Sequence, residues 1–155
     1  MTVESNGLKR TPLYGEHLAE GARLMEFAGW EMPVQYTSII AEHHAVRSSA
    51  ALFDVSHMGE VEISGSGAAH FCSLLMSNDP SRLEPGCAQY NLMPNESGGV
   101  VDDVIAYRLG EERFLVCLNA SNTAKDLKWL GRHATATTTI RDRSHEFGLI
   151  ALQGP

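Results

Sequence analysis

Residues 87–118 confine the fold more than any other stretch. Runs 87–93, 100–108 and 113–118 each have strand composition. Asn95-Glu96-Ser97-Gly98-Gly99 and Leu109-Gly110-Glu111-Glu112 separate them with turn chemistry, where glycine supplies positive φ. Turns this short join antiparallel neighbours, so the three runs predict a meander. Upstream, residues 59–64 alternate Val61 and Ile63 with Glu60 and Glu62, the pattern of a half-buried strand. Gly65-Ser66-Gly67 turns the chain into a helix over 68–76, with Ala68, Phe71, Leu74 and Leu75 inward. Downstream, a helix over 123–133, capped by Ser121 or Asn119, precedes strands at 135–141 and 147–152. Strand, helix, three strands, helix, strand is an α+β order, predicting a ferredoxin-like antiparallel sheet-and-helix unit with an extra strand.

The first 58 residues read differently. Residues 1–10 are expected to be a flexible tail. Thr11-Pro12 fits an N-cap and N1 proline, with Leu13, His17 and Leu18 at helical spacing and Gly21 closing the helix. Residues 23–28 read as a short strand, 29–33 as a loop and 39–47 as a second helix. Thr37 or Ser38 caps that helix, with Glu42 near capping-box distance. Residues 53–58 form a junction.

Composition excludes several classes of function. The chain of 155 residues has 12 Lys and Arg against 19 Asp and Glu, a formal net charge of −7, and only small basic clusters. Nucleic acid is therefore not expected as a partner, since phosphate binding needs a clustered basic surface. No run of about 18 apolar residues exists to span a membrane as a helix. The polar N-terminus resembles neither a signal nor a transit peptide. Cys72, Cys87 and Cys117 are odd in number and far apart, which predicts three buried thiols in a reducing cytoplasm rather than disulfides or zinc.

One motif invites chemistry. In Gly98-Gly99-Val100-Val101-Asp102-Asp103-Val104-Ile105-Ala106-Tyr107, two carboxylates interrupt an apolar strand. Alternation sends Asp102 and Asp103 to opposite faces, so they form neither a glycosidase pair nor an aspartic dyad. If one is solvated, the other shares a face with Val101, Ile105 and Tyr107, and a carboxylate in such surroundings needs partners. The alternative is that both are wet near the hairpin end. Tyr90 lies on the preceding strand, where register could bring it near Asp103 or leave it simply packed. Asn119 ends the third strand, where helix capping is the local explanation. His43-His44 diverge on a helix and are read as one buried and one solvent-facing histidine; His57 is placed to pair with Ser56 or Asp54. There is no HExxH or GxSxG motif, and no metal site is expected.

Thr11-Pro12-Leu13-Tyr14, Phe27-Ala28-Gly29-Trp30-Glu31-Met32-Pro33-Val34-Gln35-Tyr36, Glu42-His43-His44-Ala45-Val46-Arg47, Phe53-Asp54-Val55-Ser56-His57-Met58, the acid-pair motif and Ala151-Leu152-Gln153-Gly154-Pro155 together resemble the aminomethyltransferases, the T-proteins of the glycine cleavage system. The resemblance runs from residue 11 to the end. It implies transfer of a methylene carbon from the aminomethyl-dihydrolipoyl arm of H-protein to tetrahydrofolate, with release of ammonia. It implies Asp103 as the catalytic carboxylate, and Met58, Tyr90, Asp103 and Asn119 as folate contacts.

The same resemblance implies a longer parent, as does a chain stopping on a turn signal at Gly154-Pro155. Residues 11–54 and 141–155 would be incomplete pieces of a discontinuous first domain, and 55–140 the second. Such an N-terminal portion is expected to be inactive alone. Two other readings share the module: the folate-accepting part of sarcosine or dimethylglycine dehydrogenases, and a non-catalytic folate-binding relative. Motifs beginning near residue 11 disfavour the first. The acid pair disfavours the second.

Overall fold

The computed structural model describes residues 7–155. In chain order the elements are α1 (Tyr14–Ala19), β1 (Arg23–Phe27), β2 (Trp30–Gln35), α2 (Ile39–Ser48), β3 (Ala51–Asp54), β4 (Gly59–Ser64), α3 (Ala68–Leu75), β5 (Ala88–Pro94), β6 (Val100–Gly110), β7 (Arg113–Leu118), α4 (Thr123–His133), β8 (Thr139–Asp142) and β9 (Ile150–Gln153). Short 3₁₀ turns lie at Pro80–Arg82 and Ser144–Glu146. The chain divides into two compact units, one of residues up to His57 with Glu146–Pro155, the other Met58–His145.

In the first unit, β1 and β2 form a hairpin and β3 pairs antiparallel with β9. Residues 30–33, expected as loop, are strand. Ala28 (φ 52°) and Gly29 (φ 82°) both adopt positive φ, as a two-residue hairpin turn requires, and this returns Trp30 alongside Phe27. Thr11 does not cap α1: its hydroxyl donates to Asp54 Oδ2 at 2.6 Å, and Leu13 stands at the cap without a side-chain bond. Ser38 does cap α2, and Glu42 Oε1 accepts from the backbone N–H groups of Tyr36, Thr37 and Ser38. Neither His43 nor His44 is buried, because α2 presents no buried face. Residues 9 and 10 of the expected tail are tied down. Lys9 bonds Gly29 and Glu31 through its backbone, and Arg10 pairs with Glu31. Residues 1–6 of the expected tail lie outside the described residues.

The second unit is a five-stranded antiparallel sheet in the order β5-β6-β7-β4-β8. Both α3 and α4 cover one face of it. Val61, Ile63, Val104, Ala106, Phe114, Val116 and Leu118 pack there against Ala68, Phe71, Cys72, Leu75 and Leu130. Leu74, expected inward, is 66% exposed; Cys72 takes the buried position instead. Cys87 is exposed, so two of the three thiols are buried rather than all three. Residues 141–142 belong to this unit because β8 pairs with β4, so the division falls after His145 rather than at 141.

Gly65 is essential to the turn into α3. It adopts φ +110°, and a Cβ there would stand 2.5 Å from the Thr137 carbonyl oxygen. Gly65→Ala is expected to destabilise the second unit by about 2 kcal/mol, through a strained φ and a displaced backbone. Urea unfolding of the two proteins checks this, and equal midpoints would refute it.

Candidate functional site

The site lies on the sheet face that the helices leave uncovered. Register brings its residues together. Tyr90 pairs with Ile105, Ile105 with Cys117, and Cys117 with Glu60, which makes one row across β5, β6, β7 and β4. The next row begins with Leu92 opposite Asp103. Continuing the β6–β7 ladder by two residues sets Asn119 opposite Asp103, and continuing the β7–β4 ladder by one sets Met58 opposite Asn119. Alternation then puts Met58, Tyr90, Asp103 and Asn119 on the same face, within neighbouring strands about 4.8 Å apart. Tyr90 is 57% exposed, and Leu92, Asp103 and Ile105 are exposed beside it.

Asp103 is held from two sides. The Tyr90 hydroxyl donates to its carboxylate, and this bond, with burial and the nearby acids, raises the phenol above its ordinary value. Asn119 Nδ2 lies 3.2 Å from Asp103 Oδ1 and 3.0 Å from the Asp103 carbonyl. Asn119 therefore does not cap α4. The cap position belongs to Asn122, which makes no side-chain cap bond, and Ser121 does not cap either.

The costly acid is Asp102, not the one beside Ile105 and Tyr107. Asp102 faces the helices and is 7% exposed. Its Oδ1 accepts from Asn119 at 3.1 Å and Asn122 at 2.9 Å, and Asp126 of α4 stands close enough to its carboxyl to influence its ionisation. Burial pushes Asp102 up, but Asp126, together with bonds from Asn119, Asn122 and the Asp103 N–H, outweighs it and holds the carboxyl low. Asp126 is fully buried and pushed up to about 6, first by burial and then by Asp102. The sequence signal for Asp126 was its α4 position one turn after Asn122, visible only once α4 is seated over Asp102. Sequence reading singled out neither Asn122 nor Asp126.

The other candidate groups fall elsewhere. His57 pairs with neither Ser56 nor Asp54: Asp54 shares a 2.7 Å bond with His17, and Ser56 bonds the Leu149 backbone. His57 packs edge-on to Phe27 instead. Among the described residues no three His, Cys, Asp or Glu side chains converge on a metal-sized point, and no helix is long and apolar enough to cross a membrane.

The family described as the GCVT N-terminal domain matches residues 13–155. A protein named aminomethyltransferase from Desulforamulus reducens is 55% identical over 148 residues, covering 96% of this chain and 41% of its own. The Bacillus subtilis aminomethyltransferase is 51% identical over the same coverage. The crystal structure of the glycine cleavage system aminomethyltransferase T from Bartonella henselae superposes with a TM-score of 0.89 at 38% identity, again over 96% of this chain and 41% of that one. The chain thus spans about 41% of the length of the relatives it matches. Matched from Leu13 onward, with its mixed α and antiparallel β architecture shared by a solved relative, the chain belongs to the GCVT N-terminal domain family.

Proposed function

We propose that the protein carrying this chain is the aminomethyltransferase of glycine cleavage. It takes the aminomethyl group from the dihydrolipoyl arm of H-protein, releases ammonia, and passes the methylene carbon to tetrahydrofolate in the cytoplasm. The carbon–sulfur bond breaks, the arm regains its thiol, and the product is 5,10-methylenetetrahydrofolate. The observation that carries this reading is the Asp103 carboxylate on an open sheet face, fixed by Tyr90 and Asn119 and flanked by Leu92 and Ile105. A flat pterin suits that surface, with apolar side chains against its ring and a carboxylate for its N–H groups. Asp103 orients the pterin and favours attack by its N5 on the departing carbon. Met58, one strand beyond Asn119, completes the wall. Since the chain is about two fifths of its relatives' length, it is expected to turn over little or nothing by itself.

A tetrahydrofolate titration followed by tryptophan fluorescence tests the reading, using the product of the complete reading frame. Saturable quenching is expected. Tyr90→Ala removes an aromatic face and a hydrogen bond to Asp103, and should weaken binding about tenfold. Absence of binding by the unaltered protein would overturn the folate assignment.

A further inference from the structure

Asn119 has two N–H groups and three acceptors. Asp102 Oδ1, the Asp103 carbonyl and Asp103 Oδ1 lie at 3.1, 3.0 and 3.2 Å from its Nδ2. They compete, so the share that Asp103 receives depends on the charge of Asp102. That charge is in turn set from below. Asp102 Oδ2 and Asp126 Oδ2 are both buried without an N–H or O–H donor. The remaining oxygens are taken: Asp102 Oδ1 by the two asparagines, Asp126 Oδ1 by Lys125 Nζ at 2.7 Å. One proton shared between the two carboxyl groups would satisfy both of these buried oxygens.

We propose that Asp126 is a positioning residue for Asp103, acting through a proton shared with Asp102 that governs how Asn119 divides its hydrogen bonds between the two strand acids. With the proton in place, Asp102 is an anion already stabilised from the Asp126 side, and Asn119 is released toward Asp103. Without it, two adjacent negative carboxylates face each other, Asp102 becomes the stronger acceptor, and the Asn119 amide is drawn away from Asp103. The ionisable groups around the pair are Asp103 on β6 and Lys125 on α4, which also bonds the Val101 carbonyl. Lys125 is half exposed and opposes retention of the proton, whereas burial and Asp102 favour it. The balance places the titration near pH 6, where it couples to the site under ordinary conditions.

The kinetic consequence rests on the transfer role proposed above for Asp103, so the test has a readout that does not. In the product of the complete reading frame, the Asn119 side-chain amide resonances are followed by ¹H–¹⁵N NMR from pH 5 to 8. They are expected to shift with a midpoint near 6 in the unaltered protein. Asp126→Asn keeps the volume and donates permanently to Asp102, so the shift should disappear. Amide resonances that titrate identically in both proteins, or in neither, overturn the relay. Aminomethyl transfer is then measured over the same range. Asp126→Ala is expected to lower kcat about tenfold, with Asp126→Asn restoring it to about the unaltered level and flattening its pH profile. An alanine variant that folds and keeps full kcat also overturns the positioning role. If the amide titrates as expected but no transfer occurs even in the unaltered protein, the relay stands and the proposed function falls. If Asp126→Ala fails to fold, the asparagine variant still decides the matter.

Discussion

Asp103→Asn in the product of the complete reading frame should lower aminomethyl transfer by about 10²–10⁴-fold while leaving the fold intact. The size follows from what the substitution removes. Asparagine can still accept from Tyr90 and from Asn119, so the three-residue arrangement survives. It loses the negative charge and the ability to take a proton, which are the two properties a carboxylate brings to a departing ammonium and a pterin nitrogen. Stability should not change, because Asp103 stands on the exposed face and takes no part in the packed core. Single-turnover formation of 5,10-methylenetetrahydrofolate from loaded H-protein measures the effect. Full turnover by the variant would remove Asp103 from the mechanism.

Glu60→Gln is expected to stabilise the second unit at alkaline pH. Glu60 is 2% exposed in β4, and its Oε1 has no hydrogen-bond partner. Burial, with Asp142 nearby, pushes its carboxyl up to about 7. A raised carboxyl binds its proton more tightly in the folded chain than in the unfolded one, so its favourable contribution is complete below about 4.5. It is lost as pH rises toward 7, and above that the folded protein carries a buried anion. The full penalty is about 3 kcal/mol from the size of the displacement. Glutamine removes the ionisation but leaves a buried polar amide, which gives back about 1 kcal/mol. The net gain at pH 8 is therefore about 2 kcal/mol, and at pH 4.5, where the folded acid keeps its proton, it gives way to a loss of up to about 1 kcal/mol. Urea unfolding at the two pH values reads it directly; a gain of equal size at both would mean that ionisation is not the cause. Asp126 contributes in the same direction over pH 4 to 6, because its carboxyl is also raised. The Glu60 side chain shares its row with Tyr90, so this cost falls on the face that carries the site.

The meander was legible because local chemistry sets it. Gly98 at φ +83° closes the β5–β6 turn, where Asn95 Oδ1 accepts from Ser97 and Gly99 N–H groups. Such turns leave the flanking runs only one way to pair. Helix α2 was legible through Ser38, and β4 through its alternation. The misses share a different cause. Trp30–Gln35 contains a proline and a charge and has no alternation, so only its hairpin partner reveals it as a strand. Thr11 has the chemistry of a cap but is claimed by Asp54, a residue 43 positions away. Asn119 likewise looks like a cap until β6 supplies two acids to bond.

The acid pair divides the two kinds of information most clearly. A period of two residues sends Asp102 and Asp103 to opposite faces whatever the rest of the chain does, and that much is local. Which face is buried is not local. The runs on the two sides of β6, Asp102-Val104-Ala106 and Asp103-Ile105-Tyr107, are about equally apolar, so neither announces itself as the core. The choice is made by α3 and α4, whose Phe71, Leu75 and Leu130 settle on the Val104 and Ala106 side. That packing buries Asp102 against Asp126 and leaves Asp103 open. Burial of apolar area is non-directional and is summed over every element at once, so only the assembled unit decides which carboxylate meets the solvent and which must share a proton.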